Sequence, residues 1–172
     1  MEPTSELSDI VRQKTVSWQD PMATATIGRT MSGRHFLEAI RNGDLPAPPI
    51  AILMGFSIEE VGEGWVTFAC TPDESLYNPI GVVHGGLVST LADTVIGCAV
   101  HSLLDPGVAY TSIDLTVSYL RPVVADGTKL LATGTVTKPG RRVAFASAEI
   151  VDTNGKVVAT GSGSVLIMDT RS

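Results

Sequence analysis

Residues 85–104 read GGLVSTLADTVIGCAVHSLL, a nearly continuous apolar segment that contains a single carboxylate, Asp93. At ~1.5 Å per residue this segment predicts a helix of about 30 Å. Its apolar residues cover most of the helical circumference, so we expect the helix to be buried nearly all round. Asp93, His101 and three small hydroxyl residues dilute its hydropathy, which favours a central helix of a globular domain over a membrane span.

The chain on both sides of this helix has the alternating pattern and the turn residues of antiparallel strands. Segments 55–61 and 65–71 flank Gly62-Glu63-Gly64 and predict a hairpin. Asn154-Gly155 is a strong signal for a second tight hairpin. Further strands are predicted at 108–120, 129–137, 142–151 and 156–167. We therefore expect an α+β fold, in which one antiparallel sheet curls around the central helix.

The N-terminal part of the chain divides into three segments. Residues 1–31 are aperiodic, and we interpret them as a poorly ordered extension or as an arm that packs on a partner subunit. Ser32 is a capping residue, and the pattern up to Asn42-Gly43 predicts a short amphipathic helix that opens the domain proper, residues 32–172. The three prolines of segment 45–49 predict an extended linker after it.

Composition excludes several classes of protein. Of the 172 residues 44% are apolar and 17% are charged, which allows a sizeable core in one domain. A net charge of −6, without a long basic run, argues against nucleic-acid binding. Cys70 and Cys98 lie far apart in apolar segments and predict free thiols in a reducing cytoplasm. The N-terminus has no pattern of a secretory signal. His35 and His101 have no partners at metal-ligand spacing, so we expect no metal site.

The start of the central helix carries the features of a reactive site. Gly85 and Gly86 place unpaired N–H groups at the positive end of the helix dipole, where no side chain blocks a ligand. Such donors can form an oxyanion hole. The preceding loop delivers two polar residues, Asn78 and His84, to the same end of the helix. Asp93 is a further candidate because a carboxylate in an apolar helix is costly unless it is paired or used.

Spacing along the helix limits how these groups can act together. Gly85 and Asp93 are eight residues apart, or roughly 12 Å along the axis, too far for both to reach one carbonyl group. If two subunits pack these helices antiparallel about a twofold axis, Gly85 of one subunit faces Asp93 of the other. We therefore predict a dimer with two shared active sites.

Several motifs together resemble hotdog-fold acyl-CoA thioesterases of the phenylacetic-acid-degradation type. The resemblance covers roughly residues 33–168. It includes His84-Gly85-Gly86 at a fixed distance from Asp93. It also includes Asn78, Ser112-Ile113-Asp114-Leu115, Tyr119-Leu120-Arg121-Pro122, Gly140-Arg141 and Gly155-Lys156.

The resemblance implies hydrolysis of an acyl-CoA thioester to a carboxylic acid and free coenzyme A. Asp93 would be the general base or the nucleophile, and the Gly85 N–H would hold the thioester oxygen, with Gly86 beside it. Asn78 and His84 would shape the oxyanion side. Ser112, or less plausibly Thr111, would hold the water.

A thioester suits so sparse a site because its thiolate leaving group departs with little help from an acid. The coenzyme A phosphates need cations. The candidates are Arg141, which we rank first, and then Arg121, Lys138 and Arg142.

For the predicted cytoplasmic homodimer, the resemblance further implies pairing of dimers into a homotetramer. We expect no metal and no cofactor, since coenzyme A belongs to the substrate, and no nucleic-acid or membrane partner. The acyl group is left open by the sequence.

Two rival functions remain. A non-catalytic acyl-CoA-binding protein would need the glycine and the cations but not Asp93. A hotdog hydratase or dehydratase would have an Asp-x-Asn-Pro-x-His pattern, which this chain lacks, since four residues stand between Pro79 and His84. A serine esterase is excluded by the absence of a Gly-x-Ser-x-Gly elbow.

Structural interpretations of the same residues also stay open. Asp93 could be a structural carboxylate that a neighbouring hydroxyl group caps. His84 could be a helix cap, and Asn78-Pro79 an ordinary turn pair. Arg141-Arg142 could simply solubilise a turn.

Overall fold

The computed structural model describes residues 11–169. The helices are α1 (Pro21–Gly28), α2 (Gly33–Asn42), α3 (Pro49–Met54) and α4 (Gly85–His101). The strands are β1 (Phe56–Gly62), β2 (Trp65–Cys70), β3 (Val108–Tyr119), β4 (Leu130–Lys138), β5 (Val143–Asp152) and β6 (Val157–Asp169). They form one antiparallel sheet in the order β1-β2-β4-β5-β6-β3. The predicted α+β architecture, a sheet around one long helix, is confirmed.

Helix α4 packs across one face of the sheet and supplies much of the core. Leu91, Val95 and Ile96 are at most 1% exposed and pack with residues of the central strands. Gly134 on β4 shows how close the helix comes, because a Cβ atom there would lie 2.1 Å from the carbonyl oxygen of Val95. Any side chain at position 134 would therefore push α4 off the sheet.

One expectation about α4 is wrong. The helix is not buried all round, since a polar stripe along it stays accessible and Asp93 is exposed. The stripe consists of Gly86, Ser89, Thr90 and Asp93; Ser89 and Thr90 lie three and four residues after Gly86, and Asp93 lies four and three residues after them. All four are small or polar, so they can lie on an open helix face at little cost.

The N-terminal helices agree only partly with the sequence patterns. Helix α2 begins after Ser32, whose side chain accepts from the His35 N–H, and ends at Gly43 in the left-handed conformation, as predicted. The chain does not stay extended after Pro48, because Pro49 opens α3 at the first helical position, where a missing N–H costs nothing. Helix α1 lies within the segment that we assign to the extension, and it buries none of its residues.

Strand β3 forms an open edge of the sheet. It is 12 residues long and pairs with β6 on one side only. A bulge between Ser112 and Asp114 interrupts the pairing, and Ile113 at the bulge is 52% exposed. A long edge strand with exposed apolar groups is suited to pairing with another chain.

Within residues 11–169, none of the helices is long and apolar enough to cross a membrane.

Candidate active site

Asp93 and Ser112 form a pair at the middle of α4. The Ser112 hydroxyl group, on β3, donates to Oδ1 of Asp93 at 2.7 Å. Both residues are exposed. The hydroxyl group fixes one carboxylate oxygen and leaves the other free, so the pair can accept a proton from a bound water molecule or attack an electrophile.

The N-terminus of α4 has a cap and an open donor. His84 is the N-cap, and its Nδ1 accepts from the Gly86 N–H at 2.8 Å. Nδ1 is thus an acceptor, which leaves the proton of a neutral imidazole on Nε2. Among residues 11–169, no acceptor is paired with the Gly85 N–H. Gly85 is therefore the donor that a developing oxyanion could use.

Tyr119 holds the same helix end from the far end of β3. A Cβ atom on Gly85 would lie 3.1 Å from the Tyr119 ring, so the ring packs directly on the glycine. The Tyr119 hydroxyl group lies 2.5 Å from Oγ of Ser89 and donates to the Gly85 carbonyl oxygen at 3.4 Å. Together these contacts fix the first turn of α4, from which the open donor projects.

Asn78 shapes the loop that leads into the helix. Its Oδ1 accepts from the N–H groups of Ile80 and Val82, at 3.1 and 3.2 Å. The backbone N–H of Asn78 also donates to the Val82 carbonyl oxygen at 2.8 Å. The side-chain oxygen of Asn78 thus stabilises the turn. This turn places His84 and Gly85 at the start of α4.

The Asp93 pair and the Gly85 donor lie apart in the chain. Eight residues of continuous α-helix separate them, which is roughly 12 Å. A thioester carbonyl group in contact with one is out of reach of the other. One copy of the chain therefore carries two half-sites, at the start and in the middle of α4.

Comparison with known proteins gives the family. Residues 80–159 match the model of the Thioesterase superfamily. The acyl-coenzyme A thioesterase PaaI of Escherichia coli is 32% identical over 110 residues, which is 64% of this chain and 76% of that protein. A Halobacterium salinarum protein that is provisionally named an esterase is 38% identical over 122 residues, 64% of this chain and 79% of its own length.

The solved structure of the E. coli PaaI protein from the phenylacetic acid degradation operon agrees with this result. It superposes with a TM-score of 0.70 at 28% identity and covers 80% of this chain and 96% of that one. The chain belongs to the thioesterase superfamily. The expected hotdog fold and the expected thioester hydrolase are both confirmed, and the matched region contains Asp93, Gly85 and Ser112.

The four candidate cations of the thioesterase lie in two places. Arg121 lines a small cavity with Gly85 and Tyr119, so it stands beside the open donor. Lys138 ends β4, with Nζ 5.9 Å from the centre of the Phe145 ring. Arg141 and Arg142 are exposed in the turn that follows. This turn lies two strands away from the start of β3, which is about 10 Å at the usual strand spacing.

Strand alternation separates the two hydroxyl candidates on β3. Ser112 faces Asp93, and successive side chains of a strand point to opposite faces. Thr111 is exposed and belongs to the other face. The geometry thus supports Ser112 over Thr111 as the partner of the carboxylate.

The sequence patterns gave no role to Tyr119 or to Ser89. The Tyr119-Leu120-Arg121-Pro122 motif at the end of a predicted strand does mark Tyr119 as a candidate site residue. Its contact with Gly85 depends on how β3 crosses α4, which no local pattern reveals.

Burial keeps the C-terminal half of α4 uncharged at neutral pH. Desolvation lowers the pKa of His101 to about 4 and raises the pKa of the Cys98 thiol to about 12. No group of three or more His, Cys, Asp or Glu side chains in residues 11–169 is placed to hold a metal ion.

Proposed function

We propose that this thioesterase hydrolyses acyl-CoA thioesters at two equivalent sites, each shared between the subunits of a homodimer. Asp93 and Ser112 of one subunit and Gly85 of the other form one site. The observation that carries this proposal is the placement of two incomplete half-sites, Gly85 and the Asp93–Ser112 pair, on a single helix, roughly 12 Å apart.

Twofold symmetry brings the two halves together. When two α4 helices lie antiparallel, each stripe faces the other, and Gly85 of one meets Asp93 of the other. The open edge of β3 supports the same arrangement, since Ser112 and Tyr119 both lie on it and would follow it into the interface. Pairing would also bury Ile113.

The chemistry then follows two routes that share one geometry. In the first, Asp93 takes a proton from water, and the oxygen of that water bonds to the thioester carbon. In the second, the carboxylate itself bonds to that carbon, and water later hydrolyses the resulting anhydride. In both, the carbonyl oxygen becomes negative and accepts from the Gly85 N–H of the partner subunit. The C–S bond then breaks, and coenzyme A leaves as a thiolate that takes up a proton.

Arg141 stays the first candidate for the coenzyme A phosphates, because the pantetheine arm places the phosphates far from the thioester carbonyl group. Arg121 stands beside Gly85 and would therefore lie next to the reacting group at the shared site. Arg141, Arg142 and Lys138 lie further out and would contact a substrate that extends past the site. The free thiols Cys70 and Cys98 support a cytoplasmic location. We further propose that residues 32–172 form the catalytic domain and that dimers associate into a tetramer.

The experiment measures thiol release from acetyl-, octanoyl-, phenylacetyl- and palmitoyl-CoA with the native protein and with Asp93→Asn. Loss of the carboxylate removes the base or nucleophile, so turnover falls by about 10²- to 10⁴-fold. Asp44→Asn, an exposed carboxylate in the loop after α2, is the matched control and keeps native turnover. The mass in solution, from sedimentation, is the same for all three proteins and is that of a dimer or tetramer.

Two results would contradict the proposal. Native turnover by Asp93→Asn removes the role of the carboxylate. Binding of the esters without any thiol release, equally strong in both proteins, instead indicates an acyl-CoA-binding protein.

A further inference from the structure

Residues 11–20 form no helix or strand, and they contact a turn that leads into α4. We call this segment the N-terminal strap. Its other end continues into α1, which is tied to the start of β3, because the carbonyl oxygen of Arg29 accepts from the Gly107 N–H at 2.9 Å. The strap and α1 lie outside residues 80–159, the part of the chain that matches the family model. The family match therefore assigns the strap no role.

The turn that the strap contacts carries two adjacent carboxylates. Glu74–Leu76 form a single 3₁₀ turn, which Asp73 caps by accepting from the Ser75 N–H at 2.8 Å. We call residues 73–76 the acidic turn. The carboxylates of Asp73 and Glu74 are both charged at neutral pH and repel each other. Cations beside them therefore stabilise the acidic turn.

Two basic side chains of the strap supply these cations. Nη1 of Arg12 lies 2.6 Å from Oε2 of Glu74. Nζ of Lys14 lies 2.7 Å from Oδ2 of Asp73 and donates to Oγ of Ser75 at 3.3 Å. The hydrogen bond from Lys14 is the main cause that lowers the pKa of Asp73 to about 2. A single exposed ion pair contributes little to stability, but here three contacts converge on one turn.

The acidic turn is bonded directly to the start of α4. The carbonyl oxygen of Leu76, its last residue, accepts from the His84 N–H at 2.8 Å. Tyr77, the next residue, pairs with Val83 in an antiparallel bridge. Because His84 is the N-cap of α4 and immediately precedes Gly85, these bonds determine where the Gly85 donor stands. A chain of contacts therefore leads from the strap through the acidic turn to the donor.

We propose that Arg12 and Lys14 are positioning residues, which hold the acidic turn and thereby fix the oxyanion donor Gly85 at the start of α4. They touch no reacting atom and act through the turn. The strap also neutralises two carboxylates near the helix end at which negative charge develops in the proposed reaction. This inference rests on the proposed function, because only a reaction at Gly85 makes the position of its N–H matter for turnover.

A charge swap tests the pairing of strap and turn. Arg12→Glu places two like charges at the contact, and so does Glu74→Arg, whereas the two changes together restore an ion pair of reversed polarity. For the ester that the native protein cleaves fastest, we expect each single variant to lower kcat about fivefold with KM unchanged. The double variant should regain native kcat. The control is Arg34→Gln, which removes an exposed ion pair to Glu38 within α2 and keeps native kcat.

Hydrogen exchange tests the strap without turnover. Mass spectrometry follows the backbone amides of residues 75–84, which include the His84 N–H bonded to Leu76. We expect exchange of these amides to be about fivefold faster in both single variants and native in the double variant, with β5 unchanged in all of them. If the native protein hydrolyses no ester but shows this pattern, the proposed function fails and the strap still stands as the element that fixes the start of α4.

Three results would overturn the inference. Native kcat or native exchange in both single variants removes the role of the strap in positioning. Failure of the double variant to recover shows that the ion pair is not the cause of the defect. A raised KM with native kcat indicates instead that these side chains contact the substrate.

Discussion

The two ends of α4 differ in almost every physical property. The N-terminal end is accessible and presents the Gly85 N–H beside Tyr119 and Arg121. The C-terminal end is largely apolar, and burial there keeps His101 neutral. Asp93 stands between them at the middle of the helix. One helix thus combines an end that stabilises negative charge with an end that suits an apolar group.

The difference is the basis of the proposal that two subunits share each site. The donor end and the carboxylate both face outward, yet a carbonyl group cannot reach both of them. In the proposed arrangement, the apolar end adjoins the carboxylate in the same chain, and the oxyanion donor comes from a second copy.

Removal of the donor at the N-terminal end should have the largest effect. Gly85 is the first helical residue, where proline is tolerated, and His84 before it has φ −63° and ψ 135°, a conformation that proline permits. Gly85→Pro therefore removes the N–H without breaking a helical hydrogen bond. We expect thiol release to fall by about 10²- to 10³-fold.

Gly85→Ala is the matched control for this change. It introduces the same Cβ atom, 3.1 Å from the Tyr119 ring, but keeps the N–H. Its turnover stays within about tenfold of the native value, since only a small shift of the ring is needed. Equal losses in both variants would mean that crowding, and not the missing donor, causes the defect.

The pH dependence of stability tests whether the C-terminal end of α4 is buried. The pKa of His101 is lowered to about 4, so its stability contribution is fully present above about pH 6.5 and is lost as the pH falls towards 4. Between these two pH values His101 binds a proton in the unfolded chain but not in the folded chain. This difference lowers the free energy of unfolding by up to roughly 3 kcal/mol. His101→Phe should therefore lose less stability between pH 7 and pH 4.5 in urea unfolding.

The exposed His35→Phe variant is the control for this measurement. It should show the native dependence on pH. If the stability of His101→Phe depends on pH as that of the native protein does, the His101 ring is not the source of the acid sensitivity. The C-terminal end of α4 is then more accessible to water than the burial of His101 indicates.

Tyr119→Phe should give the smallest effect. It keeps the ring against Gly85 and removes the hydroxyl group that contacts Ser89 and the Gly85 carbonyl oxygen. Loss of these hydrogen bonds, which position the first turn of α4, costs about 1 kcal/mol. It therefore lowers kcat by about threefold to tenfold and leaves KM unchanged. A change in thermal stability alone, with native kcat, would assign Tyr119 a purely structural role.

Much of this fold can be predicted from local patterns. Ser32 and Gly43 bound α2 as their capping chemistry indicates, and Asn154-Gly155 closes the last hairpin. His84-Gly85-Gly86 marks the start of α4. These features depend on a few neighbouring residues, so the sequence alone suffices for them.

Other features depend on packing and were not predicted. Helix α3 begins at a proline of the segment whose three prolines predict an extended linker, because proline is also suited to the first helical position. Helix α1 buries nothing and so has no periodic pattern. The exposure of Asp93 and the contact of Tyr119 with Gly85 depend on which face of α4 the sheet covers.

A mixed-subunit experiment tests the shared site most directly. We expect Asp93→Asn and Gly85→Pro each to be nearly inactive alone, and each retains the half-site that the other lacks. In a mixed dimer, Asp93 of the Gly85→Pro subunit faces Gly85 of the Asp93→Asn subunit, which restores one site. Co-expression of the two variants should therefore recover about a quarter of the native thiol release, since half of the dimers are mixed and each has one working site. No recovery, with mixed dimers demonstrated by mass spectrometry, would show that each site is built within one subunit and would contradict the account.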